Sequence, residues 1–177
     1  MELKIGDKTY ELKYNFASMK LWENSLLDED SKKQSHDDMF DELFSGLVNK
    51  VPETLVKIVD GGLAYLDKKP TYEDIFNAVS DVMGNEGLDK LSEQLMSELT
   101  AFGFFKVSMK QWIEGMKHLV KVIETGLKEL KKPAKNAKDE TVQDYIRQKN
   151  TLESTKDALE NTLGEFDKLA KATEITL

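Results

Sequence analysis

The chain has 177 residues, of which 40% are apolar and 33% charged, with no cysteine, two histidines and a net charge of -8. That is enough apolar sequence to bury a core, so disorder throughout is excluded, and the missing cysteines remove disulfides, thiolate zinc sites, iron–sulfur clusters and cysteine nucleophiles. The acidic balance argues against a nucleic-acid binder, no apolar run reaches membrane-spanning length, and Met1 opens a charged segment rather than a signal peptide.

Taken in chain order, Leu3 and Ile5, then Tyr10, Leu12 and Tyr14, alternate with polar and charged residues. This is the period of half-buried strands, and Gly6-Asp7 between them suits a two-residue turn, so a hairpin is predicted. From Asn15 the pattern becomes helical. Asn15 caps a helix carrying Phe16, Met19 and Trp22, and Leu26 to Asp38 reads as an acidic loop. Met39, Phe40, Leu43, Phe44, Leu47 and Val48 fall at helical spacing. Pro52 suits the first turn of the next helix, whose apolar face is Leu55, Val56, Ile58, Val59, Leu63 and Leu66, with Gly61-Gly62 expected to bend or break it.

Thr71-Tyr72-Glu73-Asp74 predicts a capped helix start, with Gly84 as its stop. Another helix follows from Gly87 with Leu88, Leu91, Leu95 and Leu99 on one face. Two long helices, 104–132 and 141–172, complete the chain around a segment with Pro133 and no large apolar residue. The expected fold is α+β but predominantly α-helical: an N-terminal β-hairpin, a helical domain and a long C-terminal helix. The expected organisation is a domain over 1–132, a linker over 133–140 and an appended amphipathic helix over 141–177. Cutting at Pro133 is then expected to leave a folded domain.

Charge is distributed unevenly. Residues 1–100 hold 11 basic and 21 acidic side chains, 101–150 hold 11 and 6, and the last 27 hold 3 and 6. On a helical wheel Lys106, Lys110, Lys117, Lys121 and Lys128 share an arc of about 60°. Phe105, Met109, Trp112, Met116, Leu119, Ile123, Leu127 and Leu130 fill the neighbouring arc. The lysine row is either a solvated face, partly neutralised by Glu114 and Glu124 through Lys117 and Lys128, or a docking stripe for an acidic surface on a second copy or another partner. In the last helix Val142, Tyr145, Lys149, Leu152, Lys156, Leu159, Leu163, Phe166 and Ala170 alternate at spacings of three and four. That seam packs either back onto the domain or against another molecule.

Catalytic patterns are missing. The acidic cluster Asp28-Glu29-Asp30 with Asp37-Asp38 and Asp41-Glu42 has neither the glycine nor the closing glutamate of a calcium loop. No phosphate loop follows a strand, and Glu114 with His118 reads as a surface contact. No enzyme activity, metal or cofactor is expected, and the tryptophans and the phenylalanines at 102, 104 and 105 read as core.

The order of elements carries a resemblance. "MELKIGDKTYELKYNF" leads straight into the helix with Met19 and Trp22. "VKIVDGGLAYLDKKPTYEDIFNAVSDVM" (56–83), with its helix start at Pro70 to Asp74, and "LSEQLMSELTAFGFF" (91–105) follow. Residues 1–110 thereby resemble the tail assembly chaperones of long-tailed phages and prophages of Gram-positive bacteria, while 111–177 depart from them. The resemblance implies a protein of the host cytoplasm that coats the long, helical tape-measure protein, helps recruit tail tube subunits, is displaced as the tube polymerises and is absent from the mature virion. Many such proteins are also made as a longer, frameshifted product. It implies the tape-measure protein as partner, with the tube protein and self-association as further contacts, and no nucleic acid or membrane. No site residue transfers from the family. The alternative reading is a bacterial cytosolic adaptor without a phage role.

Overall fold

A computed structural model describes residues 1–26 and 36–175. A two-stranded antiparallel hairpin, β1 (Glu2–Ile5) and β2 (Lys8–Glu11), is followed by seven described helices: α1 (Phe16–Leu26), α2 (His36–Val48), α3 (Pro52–Gly62), α4 (Tyr72–Glu86), α5 (Leu88–Ala101), α6 (Gly103–Glu129) and α7 (Asp139–Ala172). The predominantly helical α+β fold is therefore as the periodicity predicts. The cluster at 28–30, and most of the acidic loop expected over 26–38, lie outside the described residues.

In the hairpin Leu3 faces Tyr10 and Ile5 faces Lys8, and Gly6 takes a φ of +60° in the first loop position, where a Cβ is disfavoured. Leu3, Ile5, Leu12 and Tyr14 are buried. The chain leaving β2 is tied down by the Lys13 N–H, which donates to the Gly62 carbonyl at 2.8 Å. The Tyr65 hydroxyl in turn donates to the Glu11 carbonyl at 2.8 Å.

Asn15 caps α1, its Oδ1 accepting from the Ala17 N–H at 2.8 Å, while Ser18 Oγ accepts from the Asn15 N–H at 3.1 Å. Met19 and Trp22 point inward; Phe16, although it shares their spacing, is 72% exposed. All six apolar residues predicted for α2 are buried.

Helix α3 is the centre of the fold, with Leu55, Val56, Ile58 and Val59 fully enclosed between α1, α2, α4 and α5. Gly61 and Gly62 end it, as their position in the sequence suggests: the helix stops at Gly62. They form its last turn, where a Cβ on Gly61 would lie 2.3 Å from the Trp22 ring. Gly46 of α2 similarly lets Thr54 approach to within 2.5 Å of a Cβ built there. The helix ends before Leu66, which packs beyond it as a partly buried residue.

Thr71 caps α4 in a reciprocal box with Asp74: the Asp74 N–H donates to Thr71 Oγ1 at 3.2 Å, and the Thr71 N–H donates to Asp74 Oδ2 at 3.2 Å. Helix α4 runs through Gly84 and stops only at Gly87, whose φ of +87° makes it both the end of α4 and the start of α5. Gly84 keeps helical geometry, and an isolated glycine costs about 1 kcal/mol of helix propensity without forcing an end.

Two helices end in Schellman turns without glycine. Lys50 (φ +57°) follows α2, with Val51 N–H donating to the Gly46 carbonyl at 2.8 Å, and Glu174 (φ +54°) follows α7, with Ile175 N–H donating to the Ala170 carbonyl at 3.0 Å. Lys50 is held there by ion pairs to Asp89 in the first turn of α5 and to Glu165 of α7. The hydrogen bond to Asp89 raises its pKa against the opposing effect of partial burial.

Helix α6 is divided along its length. Phe105, Met109, Ile113 and Met116 sit in the core, whereas Val120, Ile123 and Leu127 are only half-buried; α7 is the main neighbour of the helix. Leu119, assigned by the wheel to the buried arc, is 50% exposed because it lies at the edge of that arc. The seam predicted for α7 is turned inward over its whole length, and Phe166 and Leu169 complete the core beside α2, α5 and α6. The far halves of α6 and α7 thus form a two-helix arm, and the near half of each is core.

Gly61→Ala should lower stability by about 1–3 kcal/mol through overpacking against Trp22, whereas Gly84→Ala, with open space around the added methyl, should raise it by about 0.5–1 kcal/mol; chemical denaturation measures both. Phe166→Ala should cost about 3–5 kcal/mol in the same assay, a loss that a helix lying outside the core would not produce.

Candidate functional site

Helix α6 brings the five lysines of the sequence analysis to one side. Lys106, Lys110, Lys117, Lys121 and Lys128 are all exposed, over about 33 Å of helix. None of the five makes an ion pair among the described residues. The neutralisation expected from Glu114 and Glu124 does not occur as drawn. Glu124 reaches across the arm, where Lys156 Nζ of α7 lies 3.1 Å away and also meets Glu160 at 3.3 Å. An interhelical partner outcompetes the intrahelical one because Lys156 is a seam residue already aimed at α6. Lys110 and Lys117 come together around a cleft of about 300 Å³ with Ile113, Glu114, Phe166, Asp167, Ala170 and Ile175; Lys121 and Lys128 continue the row along the arm.

The Glu124 and Glu160 hydrogen bonds hold the Lys156 pKa above its ordinary value. This Lys156 cluster is the cross-link between the two helices of the arm, with Leu152 beside Gly126 providing apolar contact next to it. A raised lysine pKa means that the folded state favours the charged form. Its stabilising effect is complete below the unfolded value of about 10.4 and disappears as pH rises through the folded one.

A second surface, not foreseen in the sequence, lies on another side of α6. Its residues Phe104, Ser108, Gln111, Trp112, Gly115, Met116 and Leu119 form a groove of about 600 Å³ with Asp38, Phe40 and Asp41 of α2. The Trp112 indole N–H donates to Asp41 Oδ1 at 2.9 Å, which fixes the ring as one wall. Phe40 and Phe104 meet at 6.0 Å, and Phe16 extends the apolar surface at 6.3 Å from Phe104. The sequence signal was Phe104, outside the buried arc of α6, together with Leu119 at its edge. What it lacked was Phe40, contributed by a helix more than sixty residues earlier. The tryptophans also part company: Trp22 is core, as expected, but Trp112 is half-buried in the groove wall.

Among the described residues, no three His, Asp or Glu side chains gather as a metal ion would require, and no helix is long and apolar enough to cross a membrane. Tyr14, enclosed by Trp22 at 6.1 Å and Phe105 at 6.3 Å, has no hydrogen-bond partner for its hydroxyl, and burial pushes its pKa far up, so it is a neutral core residue.

Fold and surfaces together define a helical protein whose distinctive features are outward-facing: a basic row, an apolar groove and a two-helix arm. The profile of the phage tail assembly chaperone proteins (TAC) matches residues 2–114, and the chain belongs to that family. The match spans the hairpin, α1 to α5 and the core half of α6; the arm lies beyond it. No curated protein and no solved structure matches significantly.

Lys156→Gln should lower the thermal midpoint at pH 8, and the difference from the parent chain should vanish as pH rises beyond the ordinary lysine range of about 10.4. Circular dichroism melts at a series of pH values read this directly; a difference that persists at high pH would assign the loss to packing of the lysine stem.

Proposed function

We propose that this tail assembly chaperone binds the tape-measure protein of a long-tailed phage or prophage of a Gram-positive host. It keeps that long partner in a usable state in the host cytoplasm, helps recruit tail tube subunits and is left out of the mature virion. The action is binding without catalysis. Family membership supports the tail-assembly role, and the observation that carries the binding reading is the outer surface of α6, with a lysine row unpaired among the described residues on one side and an apolar groove on another.

The physical logic is that of reversible capture. Exposed charge pairs contribute only about 0.2–1 kcal/mol each, so the lysine row steers and orients more than it holds. The groove supplies apolar contact, and many copies along one extended partner add avidity that no single copy needs. A partner gripped in this way can be displaced by a polymerising tube subunit, which a tighter single contact would resist.

Co-expression with the product of the neighbouring long, helix-rich gene tests the reading, with affinity capture on the chaperone as readout. Capture is expected, together with absence of the chaperone from purified virions. Changing Lys110, Lys117 and Lys121 to glutamine should weaken capture roughly threefold or more at low salt and have little effect at high salt, where surface charges are screened. Failure of the unaltered chain to capture the long product, or its presence in virions, would overturn the proposal.

A further inference from the structure

The groove between α2 and α6 has unequal lips. One is acidic, formed by Asp38 and Asp41 of α2, and the other is neutral, formed by Ser108 and Gln111 of α6. The floor and walls are Phe40, Phe104, Trp112, Met116 and Leu119. From Phe104 to Leu119 the groove runs about 22 Å along the helix, or roughly four turns, which is the length over which a docked helix presents anchors at i, i+3 or i+4 and i+7.

Gly115 sits in the middle of this groove. It lies in the interior of a long helix, where glycine is unfavourable relative to alanine. Its φ is not positive, and a Cβ built on it meets nothing within 4 Å. Neither backbone geometry nor packing within the chain therefore calls for a glycine. Gly84 and Gly164 share that freedom, but among the three only Gly115 lines the groove, where the missing side chain lets a docked helix come close to the α6 backbone.

We infer that this groove is the seat of an amphipathic helix from a partner protein, with its apolar stripe over Gly115 and a lysine or arginine edge along Asp41. The charge of the acidic lip selects that edge, because a cation there meets a carboxylate that retains a second oxygen after accepting from Trp112. A second copy of this chain does not supply such a helix through α6. The exposed apolar residues that α6 would have to offer include Phe104 and Leu119, which already line its own groove. The inference rests on the proposed capture of a helical partner and adds the place and polarity of the contact.

The test uses the full chain and fluorescently labelled 20-residue synthetic helices with a leucine stripe, one edged with lysine, one edged with glutamate and one of scrambled order. Anisotropy should show saturable binding of the lysine-edged peptide only. Gly115→Leu should weaken it roughly tenfold or more by filling the space the missing side chain leaves, with the melting temperature unchanged or raised. Asp41→Asn, which keeps an oxygen for Trp112 but removes the charge, should weaken binding and flatten its salt dependence. Leu119→Ser, at an exposed position, checks the far end of the groove and should weaken binding in the same way.

Equal binding of the lysine- and glutamate-edged peptides would overturn the polarity. No binding of any peptide, or binding indifferent to Gly115→Leu and Leu119→Ser, would overturn the site. Capture of the tape-measure protein by parent and Gly115→Leu chains alike removes the groove but leaves the proposed function standing. Peptide binding without capture of the tape-measure protein does the reverse.

Discussion

The fold depends on the contact between one tryptophan and one glycine. Trp22 is 1% exposed and lies against the last turn of α3, its indole N–H donating to the Lys57 carbonyl at 2.9 Å. Only the missing side chain of Gly61 lets the ring come so close. From this contact the rest of the core is built outward: Tyr14 of the segment leaving the hairpin stacks on Trp22, and Phe105 at the start of α6 meets the ring edge-on at 5.5 Å. Phe105 in turn meets Phe40, Phe102 and Phe104. A single aromatic cluster thus fixes where the hairpin, α1, α3 and α6 stand relative to one another, and thereby the angle at which α6 leaves the body.

That departure is what makes surfaces available. The core holds α6 only as far as Met116. Beyond it none of its described residues is fully buried, and α7, its main neighbour, can cover only one side. The remaining sides of α6 face outward whatever their composition, and the chain carries lysines on one and apolar residues on another. The family profile ends at residue 114, close to where the core ends. The matched part of the chain thus carries most of the core and the groove's near end, while Lys117, Lys121 and Lys128 and the core residues Phe166 and Leu169 of α7 lie outside it.

The lysine row shows how far the wheel can be trusted. Its five members share a side, as a period of 3.6 residues requires. Their partners differ from those the spacing offers, because intrahelical spacing says which groups can meet and not which groups will. Glu124 had a reachable Lys128 four residues away but bonds Lys156, since α7 brings that ammonium to a fixed place in the seam. The groove escaped the sequence for a related reason: half of its wall comes from α2, and no local pattern records which distant helix will lie alongside. The wheel puts Leu119 at the margin of the buried arc and Phe104 about 60° outside it, and both are exposed.

The sequence by itself determined the local structure: the hairpin turn at Gly6, the Asn15 and Thr71 caps, Pro52 at a helix start, the buried faces of α2, α3 and α5, and the three-four spacing of the α7 seam, though not whether that seam turns inward. Each of these depends on hydrogen bonds or periodicities confined to neighbouring residues, and neighbours are what a sequence displays. Only the tertiary structure decided what each face meets. It set Gly61, in the last turn of α3, under Trp22 and carried α4 past Gly84, because glycine permits a helix end but does not command one. It also left Phe16 exposed while Met19 and Trp22 were buried. Burial is assigned by competition among all apolar faces for one limited interior, and the outcome of that competition is a property of the assembled chain.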